Sequence, residues 1–104
     1  MLNEDKINVW ELDGVKINTH EITMRNIVPI VVEAGTNGQK GGNTSAGSRT
    51  YISMKASGGD IHFSVEEDGT LQITAGGDEE FRSLLDALSY IHDVLVSQAF
   101  FKAQ

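Results

Sequence analysis

The chain has 104 residues, no cysteine and a formal net charge of −7 at pH 7, from 15 acidic and eight basic residues. This length suits one domain with a modest core, so we expect a single domain over residues 1–104. The lack of cysteine excludes disulfides, thiolate nucleophiles and cysteine-based metal sites. The negative charge disfavours direct binding to a nucleic-acid backbone and favours basic partners.

Two strands joined by a tight turn are predicted near the N-terminus. The segment KINVWEL at residues 6–12 and the segment VKINTHEI at 15–22 are rich in β-branched and aromatic residues, which favour strands. Asp13 and Gly14 separate them, and Asp-Gly is typical of a type I′ turn, which needs positive φ at both central residues. The pattern therefore predicts a β-hairpin.

A third strand is predicted over residues 27–34, IVPIVVEA. Because Pro29 cannot donate a ladder hydrogen bond, this strand is expected at a sheet edge or with an irregular entry. An apolar edge strand pairs readily with another chain unless it is covered. The segment is thus one indication of self-association.

Residues 35–48 are rich in glycine and contain no large apolar side chain, so a flexible loop is expected. Three interpretations stay open: a plain connection between strands, a flap that orders on a partner or ligand, and a phosphate cradle. The P-loop pattern is absent, because Lys40 precedes Gly41 and no helix follows. The ligand-binding candidates are Lys40, Gly41, Gly42, Asn43 and Arg49.

Three further strands are predicted at residues 49–56, 61–67 and 70–75. The middle one alternates apolar and polar residues with period two, which is typical of a sheet with one dry face. Asp68 and Gly69 are expected to form a tight turn. The pattern predicts a three-stranded antiparallel meander that leads directly into a helix.

The helix is predicted from Asp78, as N-cap, to about Ala99. Apolar residues recur within it at steps of three and four, and this stripe is expected to cover the dry face of the sheet. His92 falls within the stripe and is expected in the core. The stripe consists of Phe81, Leu84, Leu85, Leu88, Ile91 and Leu95.

A second, weaker apolar strip lies beside the first on the helical wheel, and Phe100 follows the helix. One sheet face would not cover both strips, so the second needs a loop of the same chain or a second subunit. Aromatic residues are frequent anchors of protein interfaces. The predicted partner-binding residues are Ala87, Tyr90, Val94, Phe100 and Phe101.

No arrangement of residues indicates catalysis. His62 and Glu66 share a strand face but are four residues apart, roughly 13 Å along a strand. No His-x-x-x-His pair, calcium loop or nucleophile elbow occurs in the sequence. We therefore expect a protein without enzymatic activity, metal ion or cofactor.

The fold class predicted overall is α+β: an antiparallel sheet of five to six strands, as a hairpin plus a three-stranded meander, packed against one long C-terminal helix. The expected function is a protein-interaction module, such as a small acidic accessory or inhibitor protein of bacterial, phage or mobile-element origin. The expected partners are a second copy, as a homodimer, and another protein, without direct nucleic-acid or membrane binding. The alternative is a small-ligand-binding protein that uses loop 35–48 as a flap.

A cytoplasmic location is expected from two features of the sequence. The N-terminus lacks the basic region and apolar run of a signal peptide. No apolar segment approaches the length needed to span a membrane.

Overall fold

The computed structural model describes residues 5–25, 27–43 and 47–100. They form six strands, all paired in antiparallel fashion, and one long C-terminal helix. This confirms the predicted α+β fold. The elements are β1 (Asp5–Leu12), β2 (Val15–Met24), β3 (Ile30–Thr36), β4 (Thr50–Ala56), β5 (Ile61–Val65), β6 (Leu71–Ala75) and α1 (Asp78–Phe100).

The strands form two sheets: a four-stranded sheet in the order β1-β2-β3-β4, and a separate β5-β6 hairpin. The first turn is as predicted, since Leu12 pairs with Val15 and both turn residues have positive φ, 52° at Asp13 and 80° at Gly14. This turn sets the register of β1 on β2.

Strand β3 lies inside the sheet, between β2 and β4, and not at an edge. Pro29 is accommodated by the other predicted route, an irregular entry, because the strand begins only at Ile30. The carbonyl of Pro29 accepts a hydrogen bond from the Ser57 amide at 3.2 Å. Because Pro29 precedes the first residue of the strand, its missing amide removes no hydrogen bond from the ladder.

The grouping of β4 differs from the predicted meander, because β4 pairs with β3 and β5 pairs only with β6. The four residues after β4, 57–60, direct the chain away from β4 and past Val28. Gly58 and Gly59 have φ of 148° and 71°, and Gly59 lies against the side chain of Val28. The chain thus crosses the end of the sheet near β3 instead of returning alongside β4.

Helix α1 lies mainly over β3 and forms one core with the sheet. Small and β-branched side chains of β3 face the helix, and Ala87 of the helix is completely buried among them. The helix is not long and apolar enough to cross a membrane. The buried core cluster consists of Met24, Ile30, Val32, Ala34, Ala87 and Ile91.

Helix α1 begins at Asp78, as predicted, but its N-cap differs from the predicted one. The carbonyl of Gly77 accepts the first helical hydrogen bond, from the Phe81 amide at 3.0 Å, so Gly77 and not Asp78 is the N-cap. Asp78 and Glu79 lie in the first turn, where the helix dipole favours negative charge. Glu80 also accepts the Asp60 amide at 3.1 Å and so joins the helix to the base of the β5-β6 hairpin.

Candidate functional site

The buried face of α1 is rotated from the predicted one: Ile91 of the predicted core stripe is in the core, and so is much of the second strip. Ala87 is completely buried in the core, and Tyr90 and Val94 pack against the same core. The protein's own sheet therefore covers the strip that was expected to need a second cover.

Three residues of the predicted core stripe are instead uncovered. The exposed fractions are 62% for Phe81, 48% for Leu85 and 46% for Leu88. They are spaced by four and three residues, so they lie on one helix face. We call Phe81, Leu85 and Leu88 the outer stripe. His92, expected in the core, is exposed as well.

Polar side chains fix the rotation of α1 on the sheet. The Ser83 hydroxyl donates to the Val28 carbonyl at 2.7 Å. The Gln98 side chain accepts the Thr36 amide at 2.8 Å and donates to the Asn18 carbonyl at 3.0 Å.

These tying residues share one helix face with Ala87, whose small side chain lets the helix approach β3. Ser83, Ala87, Tyr90, Val94 and Gln98 recur at steps of three and four. We call the helix face that carries these five residues the inner face. Their repeat is the signal by which the sequence could have identified it. Ranking positions by apolar size alone overlooks it.

Tyr90 anchors the inner face to β1. Its hydroxyl donates to Asp5 at 2.9 Å, and the other oxygen of Asp5 lies 2.9 Å from Nδ1 of His20. Burial, together with the hydrogen bond to Asp5 and the charge of that residue, raises the pKa of Tyr90. Tyr90 thus has an intramolecular role.

The last two predicted partner-binding residues are placed differently. Phe100, at the end of α1, is 66% exposed. Phe101 lies outside the described residues. Phe100 is therefore an exposed aromatic side chain at the C-terminal end of the helix.

The β5-β6 hairpin carries a second uncovered apolar surface. Phe63 pairs with Ile73, and Val65 pairs with Leu71, so the four side chains share one face. Phe63 and Ile73 are half-buried, whereas Val65 is 72% and Leu71 61% exposed. We call these four residues the hairpin face. A two-stranded hairpin is marginally stable alone, so burial of this face would stabilise it.

The sheet face opposite α1 holds a buried carboxylate, where a solvated face was expected. Oε2 of Glu33 accepts hydrogen bonds from Trp10 Nε1 at 2.6 Å, from Asn8 Nδ2 at 3.1 Å and from the Thr19 hydroxyl. The Trp10 and Tyr51 rings stack over this face with centroids 4.5 Å apart. Glu33 therefore ties β1 and β2 to β3.

The pKa of Glu33 reflects two opposing effects. Burial by itself raises the pKa of a carboxyl group. The hydrogen bonds from Thr19, Trp10 and Asn8, with the charge of Lys6, outweigh burial and hold the pKa of Glu33 below its ordinary value of 4.5. Neutral donors, with the charge of Lys6, thus favour the ionised form of the buried Glu33 carboxylate.

Arg49, a predicted ligand-binding residue, is buried and bonds to backbone carbonyls of its own chain. Its Nη1 donates to the carbonyls of Gly47 and Ser48 at 3.0 and 3.2 Å. Its Nε lies 3.5 Å from a carboxylate oxygen of Asp13. These contacts connect the end of the glycine-rich loop to the β1-β2 turn.

Lys40, the other charged ligand-binding candidate, lines a cavity of about 490 Å³ between β2, the start of the loop and the C-terminal end of α1. Lys16 and His20 also line it, together with Asn37 and Gln98. No acidic side chain is among the described residues that line this cavity. The other predicted ligand-binding residues do not line this cavity: Gly41, Gly42, Asn43 and Arg49.

Within residues 5–25, 27–43 and 47–100, no group of three or more His, Asp or Glu side chains is placed to hold a metal ion. Comparisons with protein-family models, with curated proteins and with solved structures give no match. The surfaces described above are therefore the basis on which a function can be assigned.

Proposed function

We propose that this protein is a non-enzymatic protein-interaction module whose working surface is the outer stripe of α1 together with the hairpin face. The observation that carries the proposal is the exposure of Phe81, Leu85 and Leu88 along one face of a well-packed helix. Exposed contiguous apolar surface on a small protein marks an interaction site.

The energy available from this surface supports the proposal. Complete burial of a large apolar side chain contributes about 1.5–3 kcal/mol. The three side chains of the outer stripe are about half exposed, so covering them contributes on the order of 3 kcal/mol before ordering costs. Covering Val65 and Leu71 contributes about 1–2 kcal/mol for each side chain on the same basis.

Two kinds of occupant fit a surface of this kind: a second copy of the chain and a different protein. A helix with a continuous apolar face is a common element of both types of interface. The homodimer expected from the sequence therefore remains a proposal, now placed on the outer stripe instead of the inner face.

The test places a photo-activatable benzophenone amino acid at position 85 and irradiates the full chain in its native host. We expect a cross-linked protein adduct that is lost when Leu88→Ser is added, because that change removes part of the same surface. The matched control carries the same probe at Val9, an exposed apolar residue on β1. Absence of an adduct from position 85, or equal adducts from both positions, would contradict the proposal.

The second candidate function is binding of a small anionic ligand in the 490 Å³ cavity, with the loop as a flap. The observation that favours it is the meeting of Lys16, His20 and Lys40 without an acidic lining residue among those described. Lys16 and Lys40 have charges opposite to the net charge of the chain, and His20 lies 2.9 Å from Asp5.

Thermal unfolding in inorganic phosphate checks this second function. A ligand at 100 times its Kd stabilises by about 2.7 kcal/mol, which raises Tm by several degrees in a domain of this size. We expect Lys40→Ala to abolish the shift and Lys55→Ala, an exposed lysine on β4, to preserve it. A shift that survives Lys40→Ala and Lys16→Ala would exclude this cavity as the site.

A further inference from the structure

The net charge of the chain is concentrated in one part of the fold. Residues 57–100, which form the β5-β6 hairpin and α1, contain nine of the 15 acidic residues, with Arg82 as their single arginine or lysine. Residues 1–56 contain six acidic and six basic residues and are electrically balanced. The segment that contains the four-stranded sheet is thus balanced, and residues 57–100 carry a formal charge of −8.

Five of these acidic residues lie close in the chain to the exposed apolar residues. Glu66, Glu67 and Asp68 form the tip of the hairpin, directly between exposed Val65 and Leu71 in the chain, and all three are exposed. At the helix, Asp78 and Glu79 are exposed just before Phe81. Five exposed acidic residues thus flank Val65, Leu71 and Phe81 in the chain, and we call them the acidic margins.

We propose that the occupant of this surface is a basic, amphipathic segment of another protein, with its apolar side chains on the outer stripe and hairpin face and its lysines and arginines beside the acidic margins. This inference rests on the proposed function and specifies its partner. Opposite charges increase the rate of encounter and align the two surfaces, while apolar contact provides most of the affinity.

The same charges disfavour the other occupants. Two copies that met through this surface would bring together two segments with a formal charge of −8 each. Like charges facing each other across an interface are costly. A phosphate backbone or an anionic lipid surface would be repelled in the same way.

The experiment measures binding of the full chain to a fluorescent 18-residue peptide of leucine and lysine in an amphipathic helical pattern. A matched peptide has glutamate in place of every lysine. We expect the Leu/Lys peptide to bind and the glutamate peptide not to bind. The affinity for the Leu/Lys peptide is expected to fall as the salt concentration increases. We expect the Leu85→Ser/Leu88→Ser variant, checked for folding by circular dichroism, to bind about tenfold more weakly or worse.

Two control variants separate apolar contact from diffuse charge. Val9→Ser removes an exposed apolar side chain from the four-stranded sheet and is expected to leave peptide binding unchanged. Glu66→Gln/Glu67→Gln removes charge at the hairpin tip and is expected to weaken binding and its salt dependence. Equal binding by wild type and Leu85→Ser/Leu88→Ser would reduce the effect to diffuse attraction and overturn the inference. Equal binding of the two peptides would also overturn it.

The failure of this inference is distinguishable from failure of the proposed function. If light scattering finds a dimer that Leu88→Ser dissociates, and the Leu/Lys peptide does not bind, the occupant is a second copy; the interaction module stands and the basic partner is wrong. If the peptide does not bind and position 85 gives no cross-link, both are wrong.

Discussion

Ile91→Ala is expected to lower the free energy of unfolding by about 2–4 kcal/mol, because the change leaves a cavity in a packed core. Ile91 is buried in the cluster between α1 and β3. Leu88→Ala, one helical turn away, is expected to cost about 1 kcal/mol or less, because Leu88 is half exposed on the outer stripe. Urea unfolding monitored by circular dichroism gives both values.

The comparison tests the rotation of the helix directly. The sequence pattern placed Ile91 and Leu88 on one covered stripe and so predicts similar costs for the two changes. Only the observed rotation, with Ala87 against β3, predicts a large difference. Equal losses in a protein that light scattering finds monomeric would contradict the placement of the outer stripe in solvent.

Glu33→Ala is expected to destabilise the protein by about 3 kcal/mol or more. The carboxylate is replaced by a methyl group, and the donors of partly exposed Trp10 and fully buried Thr19 lose their acceptor. The matched control is Glu21→Ala, at the paired position on β2, where the side chain accepts one hydrogen bond, from Asn8 at 2.9 Å. A cost of about 1 kcal/mol is expected there.

The Glu33 contribution is also expected to depend on pH. Because the folded-state pKa lies below the ordinary value of 4.5, the unfolded chain binds the proton more readily. The stabilisation is therefore complete above that value and is lost as pH falls through the lower, folded-state pKa. The difference in unfolding free energy between wild type and Glu33→Gln should be constant near neutral pH and shrink below about pH 4.5.

A difference that stays constant down to the acid transition would contradict this account. It would mean that the hydrogen bonds of Glu33 stabilise the fold and that its negative charge does not. Glu21→Gln is the control for the general effect of acid on carboxylates of the same sheet face.

Local patterns in the sequence predicted the local structure well. Asp13-Gly14 predicted its hairpin because few residue pairs accept positive φ at two successive positions. Period-two alternation identified β5, and three-to-four spacing identified α1. Each of these features is decided by residues within a few positions of one another, which is why a single sequence contains them.

Strand pairing was predicted less well, because it depends on where the chain travels after each turn. Four residues separate β4 from β5, which is typical of a hairpin, yet Gly58 and Gly59 adopt positive φ and direct the chain past Val28. Glycine permits both routes, so its presence does not choose between them. The choice comes from packing against Val28, just before the start of β3.

The sequence by itself determined the element types, the long helix, the apolar excess of that helix and the concentration of acidic residues after residue 56. Only the tertiary structure decided which helix face is buried and that Glu33 is enclosed under Trp10 and Tyr51. The physical reason is that apolar size records how much surface a helix offers, whereas orientation is set by close approach and by hydrogen bonds to distant residues. Ala87 against β3 and Gln98 bonded to Thr36 are contacts of that second kind.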